Sequence, residues 1–150
     1  MITIGIDPGL SGAVGVLSNG LYQAVEDMPI VAKGSGSVKN EADAAGLLGM
    51  LRWYSKPDIP VAVALERVNA MPGQGVSSVF SLGDSFGVAR AVVAASRFEL
   101  TYVTPATWKK HFGLGSDKDQ ARALAIRLFP DAPLNLNDGD DLVNVLLTSG

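Results

Sequence analysis

Four carboxylates stand where an acid could do more than keep a protein soluble: Asp7, Glu66, Asp138 and Asp141. Asp7 closes the β-branched run Ile2–Ile6 and is followed by Pro8-Gly9, and Glu66 closes the nearly unbroken apolar run that begins at Val61. Each lies where an apolar strand turns polar, the place where open α/β sheets put their ligands. One such acid is commonly a turn cap, but acids at the ends of two central strands form a pattern suited to chemistry. Asp138 and Asp141, within Asn137-Asp138-Gly139-Asp140-Asp141, are i and i+3 on a helix and share a face. Asp140 points about 200° away from Asp138. The helix dipole alone favours acids in a first turn, which explains Asp138 and Asp140 well and Asp141 less well. Four oxygen-donor groups suffice for two divalent cations. Two such cations about 3.5–4 Å apart activate a water and stabilise a leaving oxygen in phosphodiester hydrolysis.

Composition narrows the alternatives. The chain has no cysteine and one histidine, His111, which excludes a disulfide framework, a thiolate zinc site, a cysteine nucleophile and a multi-histidine metal site. Any metal must be held mainly by carboxylates, which select hard cations: Mg²⁺, with Mn²⁺ as a substitute. The formal net charge is -3 and the pI about 5.0. A protein that coats nucleic acid without selectivity would be basic, so the overall balance argues mildly against a DNA partner. The charge is unevenly spread, however. Residues 101–130 carry five bases (Lys109, Lys110, Lys118, Arg122, Arg127) against two acids, and residues 131–150 carry four acids and no base. Scatter over a solvated surface accounts for this as well as a phosphate-binding strip beside a cation pocket does; in the second case bound cations would cancel several of the acids. Lys118 and Arg122, i and i+4 on one helix face, are either a solvated pair or a track for a phosphate backbone.

One domain spanning 1–150 is expected from the length, and 47% hydrophobic against 18% charged residues excludes a disordered chain. The opening MITIGIDPG has no basic segment or long apolar run, so neither a signal peptide nor a membrane span is expected. The expected location is the cytoplasm of a bacterial or phage-infected cell. Strands are expected at Ile2–Ile6, Ala13–Leu17, Leu21–Val25, Val61–Glu66 and Glu99–Val103, with Asn19-Gly20 as a hairpin turn. Residues 26–40 read as a loop. Helices are expected over Glu41–Tyr54, over Ser77–Ser96 with two internal glycines, from Pro105 through His111, from a Ser116 cap to Phe129, and from near Asn137 or Asp138 onward. Three hairpin strands followed by alternating helices and strands predict an α/β fold with a mixed five-stranded sheet and helices on both faces.

Ile4-Gly5-Ile6-Asp7-Pro8-Gly9, Leu65-Glu66, and Asp138-x-x-Asp141 near the end resemble the RuvC family of Holliday-junction resolvases, within the RNase H-like superfamily. Met71-Pro72-Gly73-Gln74-Gly75, Ser81-Leu82-Gly83 and Thr104-Pro105-Ala106-Thr107-Trp108-Lys109 resemble its phage and prophage branch. The resemblance covers nearly the whole chain. It implies an RNase H-like fold and a dimeric, Mg²⁺-dependent endonuclease that nicks opposed strands of a four-way junction, with no nucleotide cofactor. Asp7, Glu66, Asp138 and Asp141 would be the metal ligands, and Lys118 falls where the family has a basic residue for catalysis or phosphate binding. Lys109, Lys110, Lys118 and Arg122 are the candidate DNA-binding bases, joined by Met71 and Gln74 from the loop that follows Glu66. Met71 either wedges into the junction or folds back on the core. The last segment departs from the family's pattern, with Asp140 and Leu142 beside Asp141 where small residues are usual and Asn144 where an apolar residue is usual. Three other readings remain open: a junction-binding protein with weak or no cleavage, a nuclease for RNA–DNA hybrids, and an actin-like phosphotransferase, whose duplicated domains this length does not accommodate.

Overall fold

The computed structural model describes residues 1–34 and 39–134. The last expected helix, with Asp138, Asp140 and Asp141, lies outside the described residues.

The chain opens with three antiparallel strands, β1 (Ile2–Ile6), β2 (Ala13–Ser18) and β3 (Leu21–Asp27). Asn19 and Gly20 join β2 to β3 with φ of 50° and 78°, the left-handed pair that a tight hairpin requires. Within the stretch expected as a loop over 26–40, β3 extends to Asp27, and Ile30–Ala32 forms β4, which pairs antiparallel with β5 (Asn40–Ala42) as a small separate hairpin. Helix α1 runs over Ala44–Tyr54, not from Glu41. Glu41 pairs within β5, and Asp43 caps the helix, its carboxylate accepting from Gly46 N at 3.0 Å. Then follow β6 (Val61–Glu66), α2 (Val76–Ala95), β7 (Glu99–Val103), α3 (Pro105–His111) and α4 (Lys118–Leu128). Pro105 takes the first turn of α3 behind the Thr104 cap. The cap of α4 is Asp117 rather than Ser116: its carboxylate reaches Asp119 N at 2.9 Å.

The main sheet has the order β3-β2-β1-β6-β7, with β1, β6 and β7 parallel. This is the mixed five-stranded sheet that the pattern of runs predicts. Successive side chains on a strand point to opposite faces, and here the two faces differ in kind. Ile2, Ile4, Ile6, Val63 and Leu65 point to one face and form the main core with Leu47 and Leu51 of α1 and Ala89, Val92 and Val93 of α2. The other face carries Ala13 and Leu17, which pack on Phe129, and Val103, which packs on Trp108, Ala121 and Ala125 from α3 and α4. By length and composition α2 would suffice to cross a membrane. It instead packs on α1, β5 and β6 and carries Asp84 and Arg90 on its exposed side.

Candidate active site

The three parallel strands end at one edge of the sheet, and that edge gathers the residues with chemical potential. Ile6 pairs with Leu65 in the β1–β6 ladder, so one step further on Asp7 and Glu66 stand side by side on strands about 4.8 Å apart. Alternation puts Glu66 on the face opposite Leu65, the face shared with Val103, its partner in β7. Asp7 follows Ile6 onto that same face.

The local chain holds Asp7 in place. Its amide donates to Ala13 O at 2.9 Å, and its Oδ1 accepts from Gly9 N at 3.2 Å, so the carboxylate orients its own turn. Gly12 passes directly beneath: a Cβ there would overlap the Asp7 carbonyl oxygen and lie 2.8 Å from Gly9 O. Met28 N donates to Gly12 O at 2.9 Å and ties the turn to the start of the small hairpin. Asp7 and Glu66 are both half-buried, and Glu66 Oε2 is shielded from solvent. Two hard oxygen donors side by side at a strand edge fit a divalent cation of the Mg²⁺ type. Among the described residues no third carboxylate or histidine completes a metal-sized group. Asp138 and Asp141, the other expected ligands, lie outside the described residues.

Helix α4 covers the same face through Ala121 and Ala125, and Lys118 and Arg122 flank that stripe. Lys118 is exposed. Arg122 is not the open phosphate contact that i, i+4 spacing suggests. Its side chain is only 15% exposed, and it reaches the exposed carboxylate of Asp119 at 3.7 Å. A 3.7 Å pair with so exposed an acid is weak, and most of the Arg122 side chain is buried. Lys109 lies over the Trp108 ring at 5.4 Å. With Lys110, Gly113, Leu114 and Ser116 it lines a cleft of about 630 Å³.

The loop after Glu66 holds a turn in which Gln74 N donates to Met71 O at 3.3 Å and Gly73 has φ 83°. Pro72 and Gly73 occupy the positions that a type II turn favours. Gln74 Oε1 also accepts from Met71 N at 2.7 Å. Met71 is 63% exposed, which overturns the alternative that it folds back on the core. Sequence reasoning missed Arg67: its guanidinium carbon lies 4.3 Å from the centroid of the Tyr102 ring. The signal was a base next to Glu66, but its stacking partner is remote in sequence.

The chain superimposes on Thermus thermophilus RuvC solved in complex with a Holliday junction substrate with a TM-score of 0.67, covering 99% of this chain and 91% of that one at 16% identity. The chain has the RuvC fold. A second Thermus thermophilus RuvC structure gives a TM-score of 0.59 at 16% identity, over 99% of this chain and 92% of that one. No family model and no curated protein matches the sequence. On this RuvC fold, Asp7 and Glu66 occupy the carboxyl ends of the two central parallel strands, and the bases of α3 and α4 follow the neighbouring strand.

Proposed function

We propose that this protein is a metal-dependent endonuclease for branched DNA, four-way junctions above all, and that it hydrolyses phosphodiester bonds. The observation that carries the reading is the ladder register that ends at Ile6 and Leu65 and so sets Asp7 beside Glu66 at the carboxyl edge of a RuvC fold. Asp7, Glu66, Asp138 and Asp141 are the proposed ligands, for Mg²⁺ or, in its place, Mn²⁺. Bound cations supply an activated water and charge stabilisation for the leaving oxygen.

The chain's own residues do the rest. The Gly9 amide fixes the Asp7 carboxylate in one orientation. Lys118 offsets charge on the phosphate, Lys109 and Lys110 hold the flanking backbone, and Arg122 contributes positive field from its half-buried position. Met71 is the apolar group for an unstacked base step at the crossover, with Gln74 closing the turn that carries it.

Symmetric nicks in a two-fold junction require a homodimer. The outward stripe Phe80, Gly83, Gly87, Ala91 and Ala94 of α2 is the proposed contact: apart from the neighbouring backbone of α2 itself, no described atom comes within 4 Å of a Cβ placed at Gly83 or Gly87, and Phe80 is 69% exposed. Light scattering is expected to show a dimer in the wild type and a monomer in Gly87→Leu.

A panel of four-way, three-way, fork, linear and RNA–DNA hybrid substrates, cut with Mg²⁺ and bound in EDTA, tests the reading. Selective cleavage of the four-way junction is the expected result. Tight binding without cleavage would establish a junction-recognition protein instead, and preference for the hybrid a ribonuclease.

A further inference from the structure

Arg67 follows Glu66 directly, yet the two side chains leave the strand on opposite faces. Arg67 N continues the ladder by donating to Val103 O at 2.8 Å, so the residue is fixed at the sheet edge. Its guanidinium packs on Tyr102, itself 37% exposed. The Tyr102 ring is braced in turn by Phe86 of α2, with centroids 6.0 Å apart and planes tilted by 36°. Arg67 is exposed, and among the described residues it makes no ion pair.

A guanidinium stacked on a ring keeps its in-plane N–H groups directed outward, the geometry that grips a phosphate with two parallel hydrogen bonds. Stacking also fixes the long side chain before a ligand arrives. Simple packing against Tyr102 needs no charge, and a cation beside Glu66 on the same face would compete with a metal for that carboxylate. Placed on the opposite face, it does not.

We infer that Arg67, held on Tyr102, is a phosphate-binding residue that grips the nucleic-acid backbone next to the scissile phosphate, from the face opposite the carboxylates. The inference rests on the nuclease reading above. A backbone crossing this edge meets Asp7 and Glu66 on one side and Arg67 on the other, so the strand is held at two points around the bond to be cut.

The test is binding of a four-way junction by the full-length protein in EDTA, from about 50 to 200 mM salt. Arg67→Ala is expected to weaken binding ~10-fold and to flatten the slope of log affinity against log salt by about 0.9, the share of one phosphate contact on duplex DNA. Arg67→Gln, which keeps bulk on the ring without the charge, should flatten the slope equally, and it decides the matter if the alanine variant fails to fold. Tyr102→Leu should weaken binding alone and add nothing in the Arg67→Ala background. A wild type that binds the junction while both Arg67 variants keep its slope overturns the role of Arg67 and leaves the nuclease reading standing. A wild type that neither binds nor cuts branched DNA overturns both.

Discussion

The two faces of the sheet are built from alternate residues of the same strands, and they are not interchangeable. In β6, Val63 and Leu65 enter the main hydrophobic core, while Ala62, Ala64 and Glu66 point to the other face. In β1 the division is Ile2, Ile4 and Ile6 against Thr3 and Gly5, with Asp7 following. Large side chains on one face anchor the strands, and small ones on the other leave room for groups that act. Stability and chemistry are thus encoded one residue apart, so neighbouring substitutions should have unlike effects.

The sharpest form of that contrast is Asp7→Asn. The amide keeps the shape and loses the charge, so cleavage is expected to fall by ~10²–10³-fold or more, while junction binding in EDTA and the melting temperature stay near wild type. Cleavage at the wild-type rate would remove Asp7 from the metal site. Leu65→Ala, next to Glu66 but on the other face, should do the reverse. Leu65 is fully buried, and the truncation is expected to cost about 3 kcal/mol in urea unfolding, with kcat of the remaining folded protein little changed. Gly12→Ala straddles the comparison. The added Cβ meets backbone rather than a flexible side chain, so it should cost about 2 kcal/mol and also lower cleavage, because the Asp7 turn must shift. Equal cleavage per folded molecule would show that this turn tolerates the shift.

The smallest effect is expected far from the carboxylates. The Tyr54 hydroxyl donates to the Glu26 carboxylate. That hydrogen bond, with burial and the Glu26 charge behind it, raises Tyr54 from its ordinary 10.0 to about 12. A folded-state value above the unfolded one means stability that is complete below pH 10 and lost as the pH rises through about 12. Tyr54→Phe should flatten that decline in urea titrations between the two values. An unchanged pH profile would show that the hydrogen bond does not persist in solution.

Much of this architecture was legible in the sequence because the strands of the main sheet are apolar runs closed by turn residues. The strand-end position of Asp7 and Glu66 was legible for the same reason, and the parallel register then brings them together. The β4–β5 hairpin was not: each strand has three residues, and five of the six are exposed, so no alternation exists to be read. The start of α1 was misplaced because helical periodicity says nothing about whether Glu41 or Asp43 is the first residue to leave extended backbone. Arg122 was read as open because i, i+4 spacing gives a helix face but not what lies against it. Arg67 was missed because its partner, Tyr102, is brought close only by the β6–β7 pairing.

The turn from Met71 to Gln74 has a consequence for association. Two hydrogen bonds, one from each backbone amide, close it on itself. Ordering a residue's backbone costs about 1–2 kcal/mol of entropy, and in this turn folding has already met that cost. A ligand that meets Met71 therefore meets a side chain on a rigid mount. Contact there adds to affinity without the ordering penalty that a free loop would subtract. Gln74 would then govern affinity through pre-organisation, whether or not its own atoms touch the ligand.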